Sequence, residues 1–189
     1  MRVIAGRLKG RQLMAPDGAQ VRPTADRVKE ALFSIIGSRV VGARVLDLYA
    51  GTGSLGIEAL SRGAAAVTFV EHHPQALVAL RRNLHECGLQ SQSEVRTCRV
   101  ETFFARPSPG RLPYDLVLAD PPYRDIVAIQ QWGQHLGDEL VTQEALLVVE
   151  HAHKSLPAPS VGRLPLTRTY TYGDTALSIY RASELEPAT

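Results

Sequence analysis

Cysteine is nearly absent. Cys87 and Cys98 are the only two in 189 residues, and ten positions separate them. They form neither a CxxC redox pair nor a zinc-ligand pattern, so a disulfide-stapled scaffold is excluded and a reduced cytoplasmic chain is expected. Long apolar runs are missing too. None approaches the roughly 20 residues of a membrane span, and the first twenty positions hold too many Arg and Lys for an apolar signal core. No membrane partner is therefore expected. Net charge is only +2, aromatics make up 6% and tryptophan occurs once. Hydrophobic content of 44% with 21% charged residues excludes a disordered or fibrous chain. A domain of this size buries roughly 70% of its unfolded surface, which suffices without metal or disulfide. The length suits one α/β domain and leaves no room for a second, substrate-binding one.

Charge is unevenly distributed. Residues 1–44 carry Arg2, Arg7, Lys9, Arg11, Arg22, Arg27, Lys29, Arg39 and Arg44 against Asp17, Asp26 and Glu30, a local balance of +6 that leaves −4 for the rest. A basic block on a near-neutral body is either a solvated face or the footprint of contacts to a phosphate backbone.

Along the chain, residues 2–15 read as two short strands around a Gly-containing basic turn. A helix is predicted over about 25–37, with Thr24 as N-cap and Gly37 or Gly42 closing it. From Arg44 strands and helices alternate. Strands are predicted at 44–49, 66–71, 94–98, 114–119 and 145–150, and helices at about 55–62, 74–87, 100–105 and 125–138. This is the grammar of a doubly wound parallel sheet. Residues 167–172 and 175–181 flank Gly173-Asp174, the spacing of a tight hairpin. The predicted architecture is thus a mostly parallel, Rossmann-like seven-stranded α/β sheet closed by an antiparallel hairpin. The predicted organisation is a basic N-terminal extension over 1–40, a main domain over 41–184 and a tail over 185–189. GRLP occurs twice, at 110–113 and 162–165, without any period.

Two motifs carry chemistry. The first, Asp47-Leu48-Tyr49-Ala50-Gly51-Thr52-Gly53-Ser54-Leu55-Gly56, leaves strand 1 and opens a helix. Its glycines let backbone approach a ligand, and Glu71 follows twenty residues after Gly51, where a carboxylate can grip a ribose. Taken alone the pattern fits a dinucleotide equally well. Asp47, however, would repel a pyrophosphate, whereas the ammonium of S-adenosylmethionine suits an acidic Asp47–Glu71 pair. The charge sign favours the methyl donor over NAD.

The second motif, Asp120-Pro121-Pro122-Tyr123, follows an apolar strand, where open α/β sheets bind ligands. By itself it could be a rigid strand-to-loop turn. Behind a nucleoside-binding loop it offers two acceptors, Asp120 and the Pro121 carbonyl, for an exocyclic amine, and an aromatic to stack on a base. Such an amine is a poor nucleophile because its lone pair is delocalised into the ring. Holding its N–H bonds turns that lone pair toward an electrophile.

With these motifs on one chain, DLYAGTGSLGIEALSRGA, Glu71 and DPPY resemble class I amino-methyltransferases. The opening RVIAGRLKGRQL and the following RPTADRVKEALFSII are similar to the RsmD family of bacterial small-subunit (16S) ribosomal RNA guanine-N2 methyltransferases. The resemblance covers residues 2 to about 124 and the terminal hairpin. It implies that Asp47, Ala50, Gly51, Thr52, Gly53, Glu71 and His72 hold S-adenosylmethionine, with Arg99, Val100 and Glu101 at the adenine edge. The family commonly has Asp or Asn where this chain has Arg99. It further implies that Asp120, Pro121, Pro122 and Tyr123 hold the guanine, while Arg2, Arg7, Lys9, Arg11, Arg22, Thr24 and Arg27 touch RNA. The implied partner is ribosomal RNA or a small-subunit assembly particle, the cofactor needs no metal, and a monomer is expected. DNA adenine-N6 and protein-glutamine methylation also suit DPPY. An NAD(P) oxidoreductase would rest on the glycines alone, and a non-catalytic RNA-binding module leaves DPPY without a purpose.

Other residues carry less. His72-His73 lacks a third ligand for zinc. Trp132 and the stretch 130–135 read as helix packing and surface, Tyr170, Tyr172 and Tyr180 as hairpin packing, and His151 and His153 as surface residues.

Overall fold

A computed structural model describes residues 1–15, 23–106, 112–122, 129, 132–137 and 139–181. Helix α1 spans Pro23–Ile36. It starts one residue before the expected cap: Pro23 has no N–H to satisfy and a helical φ already fixed, so Thr24 lies inside the first turn. Gly37, at φ +60, breaks the helix into a short 3₁₀ turn, Gly37–Val40.

Five parallel strands follow: β1 (Arg44–Leu48), β2 (Ala66–Glu71), β3 (Ser93–Thr97), β4 (Tyr114–Ala119) and β5 (Val141–Ala152). Helices α2 (Ser54–Ser61), α3 (Pro74–Glu86) and α4 (Val100–Ala105) connect them. The helix expected over 125–138 falls mostly outside the described residues; Ile129 and Trp132 within it are helical and buried. Strands β6 (Ser160–Val161), β7 (Leu164–Tyr172) and β8 (Thr175–Arg181) are antiparallel additions. The sheet order is β3-β2-β1-β4-β5-β8-β7-β6, eight strands where seven are expected. The eighth, β6, is two residues long, too short for any alternation to mark it.

Strand order reverses between the parallel neighbours β1 and β4, so their carboxyl ends frame the crevice where ligands bind in such sheets. Alternate side chains build a core on each face. Val45, Phe69, Leu118 and Val148 pack with α1, α2 and α3. Leu46, Leu48, Val70, Val117 and Val149 pack with α4 and Trp132 on the other face.

The N-terminal strands expected over 2–15 reduce to a single antiparallel bridge, Arg2↔Gln12. Val3 donates to the Arg11 carbonyl and Leu13 to the Met1 carbonyl across the two arms, while four amides between them bond α2. Glu58 of α2, fully buried, accepts from the Ile4 and Ala5 amides at 2.7 and 3.0 Å, and Ser61 accepts from Arg7 and Leu8. Val3 and Leu13 join the same core as α1 and α2. The segment is a flap bonded along α2.

Candidate active site

The glycine loop is shaped by what surrounds each residue. Tyr49, leaving β1, has φ +60, and Gly51 and Gly53 follow at φ +57 and +85. A Cβ on Gly53 would come within 2.5 Å of the Leu80 side chain, and one on Gly56 would strike the Phe69 ring. Those two glycines let α2 lie directly on β2. Gly51 differs: a Cβ there would meet only the Tyr49 carbonyl, at 3.9 Å. Its backbone borders open space, which suits contact with a ligand rather than packing.

Two carboxylates brace this loop. Asp47 is 1% exposed and accepts from the Gly56 amide at 2.9 Å. Burial pushes its carboxyl up to about 7, the neighbouring Asp120 and Glu71 charges add to the rise, and the Gly56 bond opposes it. Glu71, at the end of β2, accepts from the Gly51 amide at 2.8 Å with one oxygen and from the His72 and His73 amides at 2.7 Å with the other. A carboxylate has about four lone-pair sites, so one remains for a ligand hydroxyl.

Asp120 follows β4 directly. With Pro121, Pro122, Tyr49, Glu71, His72 and His73 it lines a cleft of about 490 Å³ at the β1/β4 switch point. Asp120 opens to solvent through the cleft mouth, yet the walls remove enough water to raise its carboxyl's proton affinity. The Tyr49 ring leans on the buried Trp132, centroids 5.7 Å apart at 32°, so the aromatic wall is supported from behind.

One lining residue has no counterpart in the motifs. Glu150, in β5, faces the same cleft, and burial together with the Asp120 charge pushes its carboxyl up to about 8. Sequence offers one signal for it. Glu150 continues the alternation of Val148, as Asp47, Glu71 and Asp120 continue those of Val45, Phe69 and Leu118. Four carboxylates on adjacent strands therefore share one face of the sheet at one rim. Such crowding of like charge demands a cationic ligand or retained protons.

Other expected residues lie around this centre. Arg99 precedes α4 as its N-cap; Arg99 and Glu101 are exposed, while Val100 packs into the core. The Cys98 amide bonds the Glu71 carbonyl at 3.0 Å, so this segment borders the cleft without lining it. Ala50 is 8% exposed and donates to Val70; Thr52 accepts from Asn83 through its carbonyl. Tyr123 and Arg22 lie outside the described residues.

The full-length likeness to known proteins is extensive. The family model described as Conserved hypothetical protein 95 matches residues 1–181. Ribosomal RNA small subunit methyltransferase D of Haemophilus influenzae is 34% identical over 182 residues, covering 96% of this chain and 93% of that protein. The protein of the same name from Escherichia coli is 35% identical over 150 residues, covering 79% and 74%. The chain belongs to the ribosomal RNA small subunit methyltransferase D family. A solved structure of a hypothetical protein from Thermus thermophilus shares the methyltransferase D fold: TM-score 0.79, 29% identity, 96% of this chain and 99% of that one.

The basic residues of this methyltransferase D relative divide by position. Arg2 is exposed, pairs with Asp26 at 3.5 Å, and lies where Lys29 joins the Arg2 carbonyl to Ser54 at the start of α2. Arg27, one turn into α1 and next in sequence to Asp26, is exposed. Arg7 and Lys9 sit at the flap's turn, near Ser61 at the far end of α2, with Arg7 bonded to Gln92. Arg11 donates to the Glu86 carbonyl at 2.5 Å. Lys29, counted in the basic block, is 4% exposed and unavailable to a partner, because it is consumed by the clamp with Glu58. His151 corrects another expectation. It is 3% exposed, with its ring nitrogens 2.8 Å from Ser178 Oγ and 2.9 Å from the Ala152 carbonyl. The β5–β8 pairing encloses it. Among the described residues no helix is long and apolar enough to cross a membrane, and no three His, Cys, Asp or Glu side chains converge on a metal position.

Proposed function

We propose that this chain is an S-adenosylmethionine-dependent methyltransferase acting on the exocyclic N2 amine of a guanine in 16S ribosomal RNA. The observation that carries the reading is a single cleft flanked by the Gly51 loop with Glu71 and by the Asp120-Pro121 turn. Membership of the methyltransferase D family, whose relatives bear ribosomal RNA methyltransferase names, supports it.

The donor set suits the cofactor. Burial has raised the Asp47, Asp120 and Glu150 carboxyls, and a cation brought beside them favours ionisation of Asp47 and Asp120. A nucleoside carrying an ammonium and a sulfonium but no phosphate matches that requirement. When bound, it supplies an activated methyl group. Glu71 would take the ribose hydroxyls, Ala50, Gly51, Thr52 and Gly53 the methionine side above Asp47, and His72 with residues 99–101 the adenine side. The guanine would sit against Pro121, Pro122 and Tyr123. Asp120 and the Pro121 carbonyl would accept its N2–H bonds, which turns the nitrogen lone pair toward the methyl. N2 gains the methyl and loses one proton, which Asp120 is suited to take. Arg2, Arg22, Thr24 and Arg27 would meet RNA near the cleft, with Arg7, Lys9 and Arg11 farther along the flap. Ribosomal RNA or a small-subunit particle as substrate implies a cytoplasmic protein.

Transfer of tritiated methyl to small ribosomal subunits and to their naked RNA, followed by nucleoside analysis, tests this. N2-methylguanosine is expected, and Asp120→Ala should lower its rate about 10²–10⁴-fold while S-adenosylhomocysteine affinity is kept. Label in protein or on adenine N6 would reject the reading.

A further inference from the structure

We propose that Glu150 and Asp120 together read the N1–H and N2–H edge of guanine, which makes Glu150 the residue that selects guanine over other amine-bearing bases. The inference rests on the methyl-transfer reading of the cleft and adds a residue and a substrate-discriminating contact to it.

Strand register brings the two groups side by side. Ala119, the last residue of β4, pairs with Val149 of β5, so Asp120 just beyond β4 and Glu150 within β5 are the next residues along two parallel neighbours. Both line the cleft with Pro121 and Tyr49. Among the described residues no Lys or Arg lines that cleft and neither carboxyl has an ion-pair partner. A pair of carboxyls held together without a counter-ion keeps a proton between them. Burial and mutual repulsion favour that proton on Glu150. Its O–H can then donate to Asp120. One Glu150 oxygen and one Asp120 oxygen are left as adjacent acceptors facing the cleft.

Among the bases that carry an amine, guanine alone matches two adjacent acceptors. Its N2 amine lies beside N1–H, so the edge presents donor next to donor. Adenine N6 lies beside N1 and cytosine N4 beside N3, and each of those ring nitrogens offers a lone pair. An acceptor at Glu150 would face that lone pair with no hydrogen between them. A site built around a hydrogen bond rejects an analogue that leaves its buried polar group unpaired. Asp120 and the Pro121 carbonyl could serve any amine. Glu150 supplies the discrimination.

The test uses small-subunit RNA assembled from two pieces with either guanosine or 2-aminopurine at the methylated position, which the transfer assay first maps. 2-Aminopurine keeps the C2 amine and lacks N1–H. Wild-type protein is expected to prefer guanosine about ten- to hundredfold in kcat/KM. Glu150→Ala and the volume-keeping Glu150→Leu should reduce that preference to within about threefold, through loss on guanosine, with S-adenosylhomocysteine affinity retained. Glu150→Gln should keep the preference, because its amide N–H can donate to Asp120 while its carbonyl accepts N1–H. Unchanged preference in the Ala and Leu variants, or a Gln variant that loses as much as Ala, overturns the assignment. A wild-type protein that forms no N2-methylguanosine would instead overturn the methyl-transfer reading beneath it.

Discussion

Asp47 shows how one residue can serve the ligand-bound state at the expense of the empty one. Its folded carboxyl titrates near 7 against an ordinary value of 3.8. Below about pH 4 both folded and unfolded chains hold the proton, and stability is unaffected. As pH rises toward 7 the unfolded chain releases its proton while the folded one retains it, so stability falls across that window and stays lower above it. Asp47→Asn, which keeps an acceptor for the Gly56 amide, should raise stability without cofactor by about 1 kcal/mol at pH 8 and by nothing measurable near pH 4. Urea unfolding at the two pH values checks this; an equal gain at both would remove titration as the cause. The same variant should bind S-adenosylhomocysteine more weakly. Asp47, Glu71 and Asp120 were legible in sequence because each sits at a fixed place in a motif. Glu150 was not. It ends the apolar run ALLVVE like any charged residue closing a strand, and only the neighbourhood of β4 and β5 gives it a role.

Among the elements, the N-terminal flap shows what local pattern leaves out. Its sequence reads as two short strands around a basic turn, and backbone bonds do join the two arms, but four amides between them bond Glu58 and Ser61 of α2. Glu58 also meets the half-buried Arg62 at 2.7 Å and the buried Lys29 at 3.7 Å. Burial lowers the Lys29 ammonium's pKa, and the Glu58 charge opposes that fall. Removing Glu58 would strand a buried cation and two amides together. Glu58→Ala should therefore cost about 3–5 kcal/mol in denaturant unfolding. Lys29 also bonds Ser54, and Asn83 bonds both Met14 and Thr52, so a released flap should loosen the cofactor loop. A destabilisation under about 1 kcal/mol would mean the clamp is dispensable. The central parallel strands were easier to foresee, since burial on both faces leaves near-continuous apolar runs such as those of β4 and β5. Strand β5 begins at Val141, four residues before its expected start, because the exposed, polar Gln143 and Glu144 interrupt the apolar pattern there.

For the whole molecule, counting charge along the chain overstates the basic footprint. Of the nine basic residues before position 45, Lys29 is buried, Arg7 and Arg11 are bonded to Gln92 and Glu86, and Arg39 lies at the opposite end of the sheet from the cleft. Arg2 is exposed beside the start of α2, at the cleft end, and Arg27 is exposed on α1 next in sequence to Asp26, the partner of Arg2. The Arg2–Asp26 pair is solvent-exposed and weak, so phosphate can displace it. If these two side chains contact RNA, Arg2→Ala with Arg27→Ala should raise KM for RNA several-fold and cut the slope of log affinity against log salt by about 1.5. Cofactor affinity should not change. Arg39→Ala is the matched control: it removes a positive charge from the same block at the far end of the sheet. Position, rather than net charge, is decided by comparing the slopes. A control slope falling by half as much as the double variant, charge for charge, would mean that RNA responds to the overall field and that the rim arginines hold no particular place in it.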